Sequence, residues 1–167
     1  MAQEKQKEYQ LVIFAIGNEE FGVDISQVRE IVRLIPITYL PKAPEFVEGV
    51  VNLRGQVVAV IDLAKRLVIP SKPRGENTRI IIVEIENMTM GMVVDSVSEV
   101  LRLSSEHIED VPSVIQTEVQ EHYIYGVGKL SKDRLLVLLD LKKVLTPVEI
   151  QHVEKVVSLA GSRKEEL

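Results

Sequence analysis

Along most of the chain, short dense apolar runs alternate with polar breaks, a rhythm too tight for helices and suited to strands. Leu11–Ile16 and Ile80–Ile85 are rich in β-branched residues and are bounded by polar turns, so both are predicted strands. Asn18-Glu19-Glu20 and Glu86-Asn87 supply turns, after which Phe21–Val23 and Met90–Val94 run back as hairpin partners. Val50–Leu53 with Val57–Ile61, and Tyr125–Leu130 with Leu135–Leu139, form a second pair of hairpins. Their turns are Arg54-Gly55-Gln56 and Ser131-Lys132-Asp133.

The pattern is written twice. The segment from Gln10 to Val32 aligns without a gap on the segment from Arg79 to Leu101. In that register Ile13 meets Ile82, Asn18 meets Asn87, Gly22 meets Gly91, Val28 meets Val97 and Glu30 meets Glu99. A second block follows in the same order: Gly49 onward matches Gly126 onward, and Asp62 meets Asp140 after a one-residue slip. Many short strands at close spacing predict small barrels, whose closure removes exposed sheet edges. The halves are placed at 9–69 and 79–145, with the polar, Pro-rich 70–78 as linker.

One helix is signposted at the end. Thr146 can cap it, Pro147 suits its first turn and Glu149 completes a capping box. Leu145 and Ile150 stand where a hydrophobic staple forms, and Ile150, Val153 and Val157 share one face. The helix is expected over 147–159, with a frayed tail at 161–167 and a flexible start at 1–8.

Composition narrows the classes. The 167 residues are 46% hydrophobic, enough for one compact domain or two small halves on one core. With no Cys, disulfides, thiolate metal sites and Cys nucleophiles are excluded together, which fits a reducing compartment. The start is charged and polar, without the apolar stretch of a secretory signal. No apolar run approaches the roughly 20 residues of a membrane span, and the cytoplasm is the expected location. A net charge of -5, no Trp and few aromatics argue against a nucleic-acid surface, which needs a basic groove and stacking rings.

Candidate chemistry is sparse. His107, His122 and His152 lack metal-ligand spacing and are expected at the surface. Gly-rich phosphate loops and a GxSxG elbow are missing, and no cofactor is expected. Asp62 and Asp140 are framed by apolar strands, but each precedes a short helical turn, where Asp is a natural N-cap. Asp24 and Asp95 are likewise expected to cap short helical turns, and Glu30 and Glu99 to be solvated or hydrogen-bonded strand residues. Asymmetry between the copies is more telling. Where the first half has Val51-Asn52-Leu53-Arg54-Gly55, the second has Val127-Gly128-Lys129-Leu130-Ser131. Gly55 serves equally as a turn residue, whereas a guanidinium at a hairpin tip offers paired hydrogen bonds to a carboxylate or to a partner's carbonyls.

These residues carry a family resemblance. Glu20-Phe21-Gly22-Val23-Asp24-Ile25, Val28-Arg29-Glu30-Ile31, the stretch from Pro44 to Gly55, Val58–Leu63 and Gly91–Val97 together resemble the CheW family of bacterial chemotaxis coupling proteins, over roughly Tyr9 to Leu145. The resemblance implies a mainly β fold of two SH3-like five-stranded barrels packed on a shared core. It implies a non-catalytic adaptor that links the cytoplasmic helical hairpin of chemoreceptors to the histidine kinase CheA, through that kinase's own CheW-like regulatory domain. Receptor arrays would recruit it to the membrane without insertion. Carried over by motif, Val28, Glu30, Gly49 and Arg54 are candidates for receptor or kinase contact, and Ile31, Asn52, Leu53, Gly55 and Val97 complete the set of partner-binding candidates. The family's second kinase-facing surface would fall near Glu109 and Val114, where this chain departs from the basic and aromatic residues usual there. The implied fold also occurs inside larger proteins, and the short flanks here point to a stand-alone adaptor.

The residues support the same mechanism less sharply. A helix docked between two barrels is held by apolar burial and needs an exposed groove rather than catalytic groups. Val28, Ile31, Val97 and Val100 are candidates to line it, although residues of this kind are more often core.

Overall fold

The computed structural model describes residues 7–110 and 123–165, the last seven as backbone only. Its strands are β1 (Glu8–Ile16), β2 (Glu19–Asp24), β3 (Val28–Arg33), β4 (Val47–Leu53), β5 (Gln56–Asp62), β6 (Arg79–Ile85), β7 (Met88–Val94), β8 (Ser96–Ser104), β9 (Ile108–Glu109), β10 (Ile124–Ser131) and β11 (Arg134–Leu139). Two helices, α1 (Leu63–Leu67) and α2 (Pro147–Glu165), complete the described chain together with short 3-10 turns.

The strands form two sheets, ordered β8-β1-β2-β11-β10-β9 and β3-β6-β7-β5-β4. Each curls into a barrel because the chain leaving its edge strand bends across the mouth to meet the other edge. After β3, Thr38 exchanges two backbone hydrogen bonds with Val50 of β4, at 2.8 and 2.9 Å. After β8, β9 pairs in the same way with β10, Ile108 opposite Gly128. The fold is therefore mainly β, with two barrels and a terminal helix.

The barrels are out of phase with the duplication. One is contiguous, β3 through β7, while the other combines β1 and β2 with β8 through β11. Each hairpin of one repeat thus joins the complementary hairpin of the other, through the parallel pairs β2·β11 and β5·β7. Halves drawn at 9–69 and 79–145 are sequence units rather than spatial ones. Period-two alternation identifies strands but carries no information about which strand lies beside which.

Burial on both faces explains the unbroken apolar runs. On β1, Leu11 and Ile13 point into the barrel of β1, β2 and β8–β11 (the first barrel, that of β3–β7 being the second), while Val12, Phe14 and Ile16 point into a core between the barrels. β6 repeats this: Ile80 and Ile82 fill the second barrel, and Ile81, Val83 and Ile85 join the shared core. The paired glycines follow from the same geometry. A Cβ on Gly91 would lie 2.6 Å from Ile80 Cγ2, closer than such atoms approach, and one on Gly22 would meet Leu138 Cδ2 tightly at 3.0 Å, so both barrel interiors are packed close against a bare backbone there. Matching bulges fall between Val28 and Glu30 and opposite Ile13/Phe14, which places Arg29 and its repeat mate Ser98 outside the ladder.

α2 opens as anticipated. Thr146 N–H donates to Glu149 Oε1 at 2.8 Å, and Glu149 N–H donates to Thr146 Oγ1 at 3.2 Å. Leu145, Ile150 and Val153 are buried in the shared core, with Val157 packed against it. The helix runs to Glu165, past the 147–159 span expected from sequence.

Candidate partner-binding surface

The Asn-Leu-Arg-Gly run divides its labour. Arg54 (φ 50) and Gly55 (φ 88) form the two-residue connection between β4 and β5, the left-handed pair that matches strand twist. Asn52 Oδ1 accepts from Gly55 N–H at 2.8 Å and fixes the turn, while Leu53 is buried in the second barrel. Gly49 is also internal, because a Cβ there would fall 2.1 Å from the Thr38 carbonyl oxygen where the crossing chain bridges β4. Of this run, Asn52 and Arg54 have exposed side chains, and Asn52 is spent on the turn.

It meets Glu30 as a fork. Arg54 donates to both carboxylate oxygens of Glu30, at 3.0 and 2.5 Å, from the turn across to β3. That hydrogen-bonded guanidinium holds the Glu30 carboxyl below its usual range, and Glu30 in turn raises Arg54. Arg54 keeps its side chain 68% exposed, so the pair lies open to a partner.

Sequence comparison found no counterpart to Arg54 in the second repeat, and the structure supplies one. Arg134, the first residue of β11, donates to Glu20 at 2.7 and 3.0 Å and to Glu99 at 3.4 Å. Glu99 is the repeat mate of Glu30. An arginine on the second hairpin therefore engages the third-strand glutamate in both barrels, offset because the arginine follows the turn in one case and forms it in the other. The signal was present in Ser131-Lys132-Asp133-Arg134, but residue-by-residue alignment across hairpin tips hides it.

The same strands carry apolar side chains at equivalent places in the two repeats. Val28 and Val97 pack against the shared core. Ile31 and Val100 are 37% and 49% exposed on β3 and β8, and each is followed two residues later on the same strand face by an exposed arginine, Arg33 and Arg102. Ile25, just before β3, is a further exposed large apolar side chain, at 36%, and is not singled out by the sequence.

The remaining carboxylates have structural work. Asp62 caps α1 through Lys65 N–H at 3.3 Å, Asp140 accepts from Lys142 N–H at 3.0 Å, and Asp24 accepts from Ser26 N–H at 2.9 Å. Asp95 departs from expectation: β8 follows it directly, and its carboxylate instead takes the N–H groups of Gly17 and Lys72. Burial, helped by the neighbouring Glu48 carboxylate, raises Asp62. Burial also acts to raise Glu48, but hydrogen bonds from Lys65 and Arg74 outweigh it and leave Glu48 lowered. Glu109 on β9 pairs with Lys129 at 2.6 Å. Val114 and His122 lie outside the described residues, whereas His107 and His152 are exposed. Among the described residues no group of three His, Cys, Asp or Glu side chains could hold a metal, and no helix is long and apolar enough to cross a membrane.

Comparison with known proteins agrees with this architecture. A family model described as a CheW-like domain matches residues 10–149. The chain is 38% identical over 147 residues to the chemotaxis protein CheW of Klebsiella aerogenes, covering 88% of this chain and 87% of that one. It is 32% identical over 151 residues to CheW of Treponema pallidum, covering 88% of each. Among solved structures, the scaffolding protein TtCheW from Thermoanaerobacter tengcongensis superposes with a TM-score of 0.73 at 36% identity, over 83% of this chain and 92% of that one. Shared sequence along most of its length and the same two-barrel fold make this chain a member of the CheW family of chemotaxis scaffolding proteins.

Proposed function

We propose that the chain is a non-catalytic cytoplasmic adaptor that couples the helical hairpin of chemoreceptors to the CheW-like regulatory domain of the histidine kinase CheA. Two observations support this reading: the exposed apolar side chains Ile31 and Val100 on repeat-equivalent strands, and the open Glu30–Arg54 fork. Such a surface suits an amphipathic helix, which buries an apolar face and satisfies its flanking carboxylates on arginines. Val28, Glu30, Ile31, Arg54 and Val97 are the partner-facing residues of this reading. Gly49, Asn52, Leu53 and Gly55 serve it indirectly by shaping the turn that presents Arg54.

Coupling then needs no chemistry in the adaptor itself. If receptor state alters the adaptor–kinase contact, active and inactive kinase populations shift by that differential affinity. Co-elution of the chain with a receptor cytoplasmic fragment and the CheA regulatory domain as one ternary species tests the reading. Separate elution of all three would oppose it.

A further inference from the structure

Residues 70–78, which join the two sequence repeats, are fastened to both barrels. The Pro70 carbonyl oxygen sits so close over Gly17, in the β1–β2 turn, that a Cβ there would come within 2.5 Å of it. One carboxylate oxygen of Asp95 then accepts two backbone N–H groups, from Gly17 at 2.6 Å and from Lys72 at 2.8 Å. Asp95 is itself tied to β1 by its N–H, which donates to the Ala15 carbonyl at 3.0 Å. These contacts clip the segment to the first barrel. Two residues on, the Arg74 guanidinium reaches the second barrel, 3.1 Å from Glu48 on β4 and 3.3 Å from Asp62 at the end of β5. Lys65 holds Glu48 from the other side at 2.9 Å. The segment then closes on itself, with Thr78 N–H donating to the Gly75 carbonyl at 3.1 Å and Gly75 N–H donating to Thr78 Oγ1 at 2.9 Å.

The apolar core between the barrels opposes their separation, but apolar attraction has no preferred direction. Hydrogen bonds and ion pairs of fixed geometry have one. We propose that residues 70–78 are a strap that fixes the angle between the two barrels, clipped by Asp95 at one end and by Arg74 at the other. Neither clip uses a residue of the proposed partner surface. A consequence for partner binding, through the separation of Ile31 from Val100, rests on the adaptor reading; the strap itself does not.

The chain contains no Cys, so two can be introduced without background. Spin labels at Gln56→Cys and Lys132→Cys, both exposed and on different barrels, report the inter-barrel distance by pulsed electron paramagnetic resonance. The doubly labelled parent should give one narrow distribution. Arg74→Ala should broaden it, Asp95→Ala combined with Arg74→Ala should broaden it further, and Arg74→Lys should restore it in part. Circular dichroism reports whether each variant is folded, and Arg74→Ala decides alone if the double variant is not. A folded Arg74→Ala protein with the parent's narrow distribution would overturn the strap. In a second arm, titration with a receptor cytoplasmic fragment should show the released variants binding about two- to tenfold more weakly than the parent. A parent that binds nothing there would count against the adaptor reading, while the distance measurement still decides the strap.

Discussion

Arg54 and Glu30 face each other across the second barrel, one on a hairpin turn and one on an edge strand, joined by paired contacts of 3.0 and 2.5 Å. Their exposure means the pair adds little to folding, because solvent screens it and two long side chains must be ordered. On the adaptor reading proposed above, its value lies in presenting a guanidinium in a fixed direction. Arg54→Ala and Arg54→Glu should therefore leave the thermal midpoint close to that of the parent while weakening one partner. A collapsed melting transition would assign Arg54 to stability, and unchanged affinity for both partners would remove it from the interface.

Acid should dissolve the same pair. The folded-state pKa of Glu30 is lowered from 4.5, so its contribution is present above that value and is lost as pH falls through the lower folded value. The small midpoint difference between parent and Arg54→Ala should shrink as pH drops below 4.5. Asp62 carries the opposite sign: its folded pKa is raised, chiefly by burial, so any stabilisation it gives belongs to low pH and fades as pH rises through that raised value. Asp62→Asn, which keeps a capping side chain, should gain on the parent as pH increases. Midpoints measured from acid to neutral pH check both trends.

Two glycines of the same motif should respond differently to an added methyl group. Nothing lies within 4 Å of the position a Cβ would take on Gly55, so Gly55→Ala bears only the left-handed backbone cost of about 1 kcal/mol. Gly49→Ala meets the rigid Thr38 carbonyl at 2.1 Å and should lose about 2 kcal/mol or more. Denaturant titration gives the order. Equal losses would mean the crossing chain at Thr38 yields freely.

Val68 ends α1 in the left-handed region at φ 58, a poor conformation for a β-branched residue, and is 86% exposed. Glycine is the usual solution at such a helix end. Val68→Gly should raise stability by up to about 1 kcal/mol, the relief of strain less the added flexibility of the unfolded chain. A loss on substitution would show that the exposed valine makes a contact worth more than its strain.

Much of this fold is legible in the chain because the repeat states it twice. Ile80–Ile85 confirms what Leu11–Ile16 announces, and Thr146 with Glu149 marks the start of α2 to the residue. Pairing was not legible, since strands such as β1 and β6, buried on both faces, offer no polar side to orient them, and the repeat boundary does not mark the barrel boundary. At the candidate surface, Arg54 stands out by the asymmetry between the repeats, and Glu30 only through the family resemblance. The partnership of Arg134 with Glu20 and Glu99 depends on β2 lying beside β11, a parallel contact between distant segments with no local signature. From sequence Asp95 reads as a cap, an Asp that follows an apolar strand where a short helical turn is expected to open; its actual donors, Gly17 and Lys72, are brought to it by tertiary structure.

Calorimetric titration of the purified chain with the regulatory domain of its cognate CheA, repeated with a receptor cytoplasmic fragment, tests the adaptor role most directly. Saturable binding to each, with the second partner still binding when the first is already in place, is the expected result. Binding to neither would contradict it and leave a CheW-family scaffold with partners of another kind.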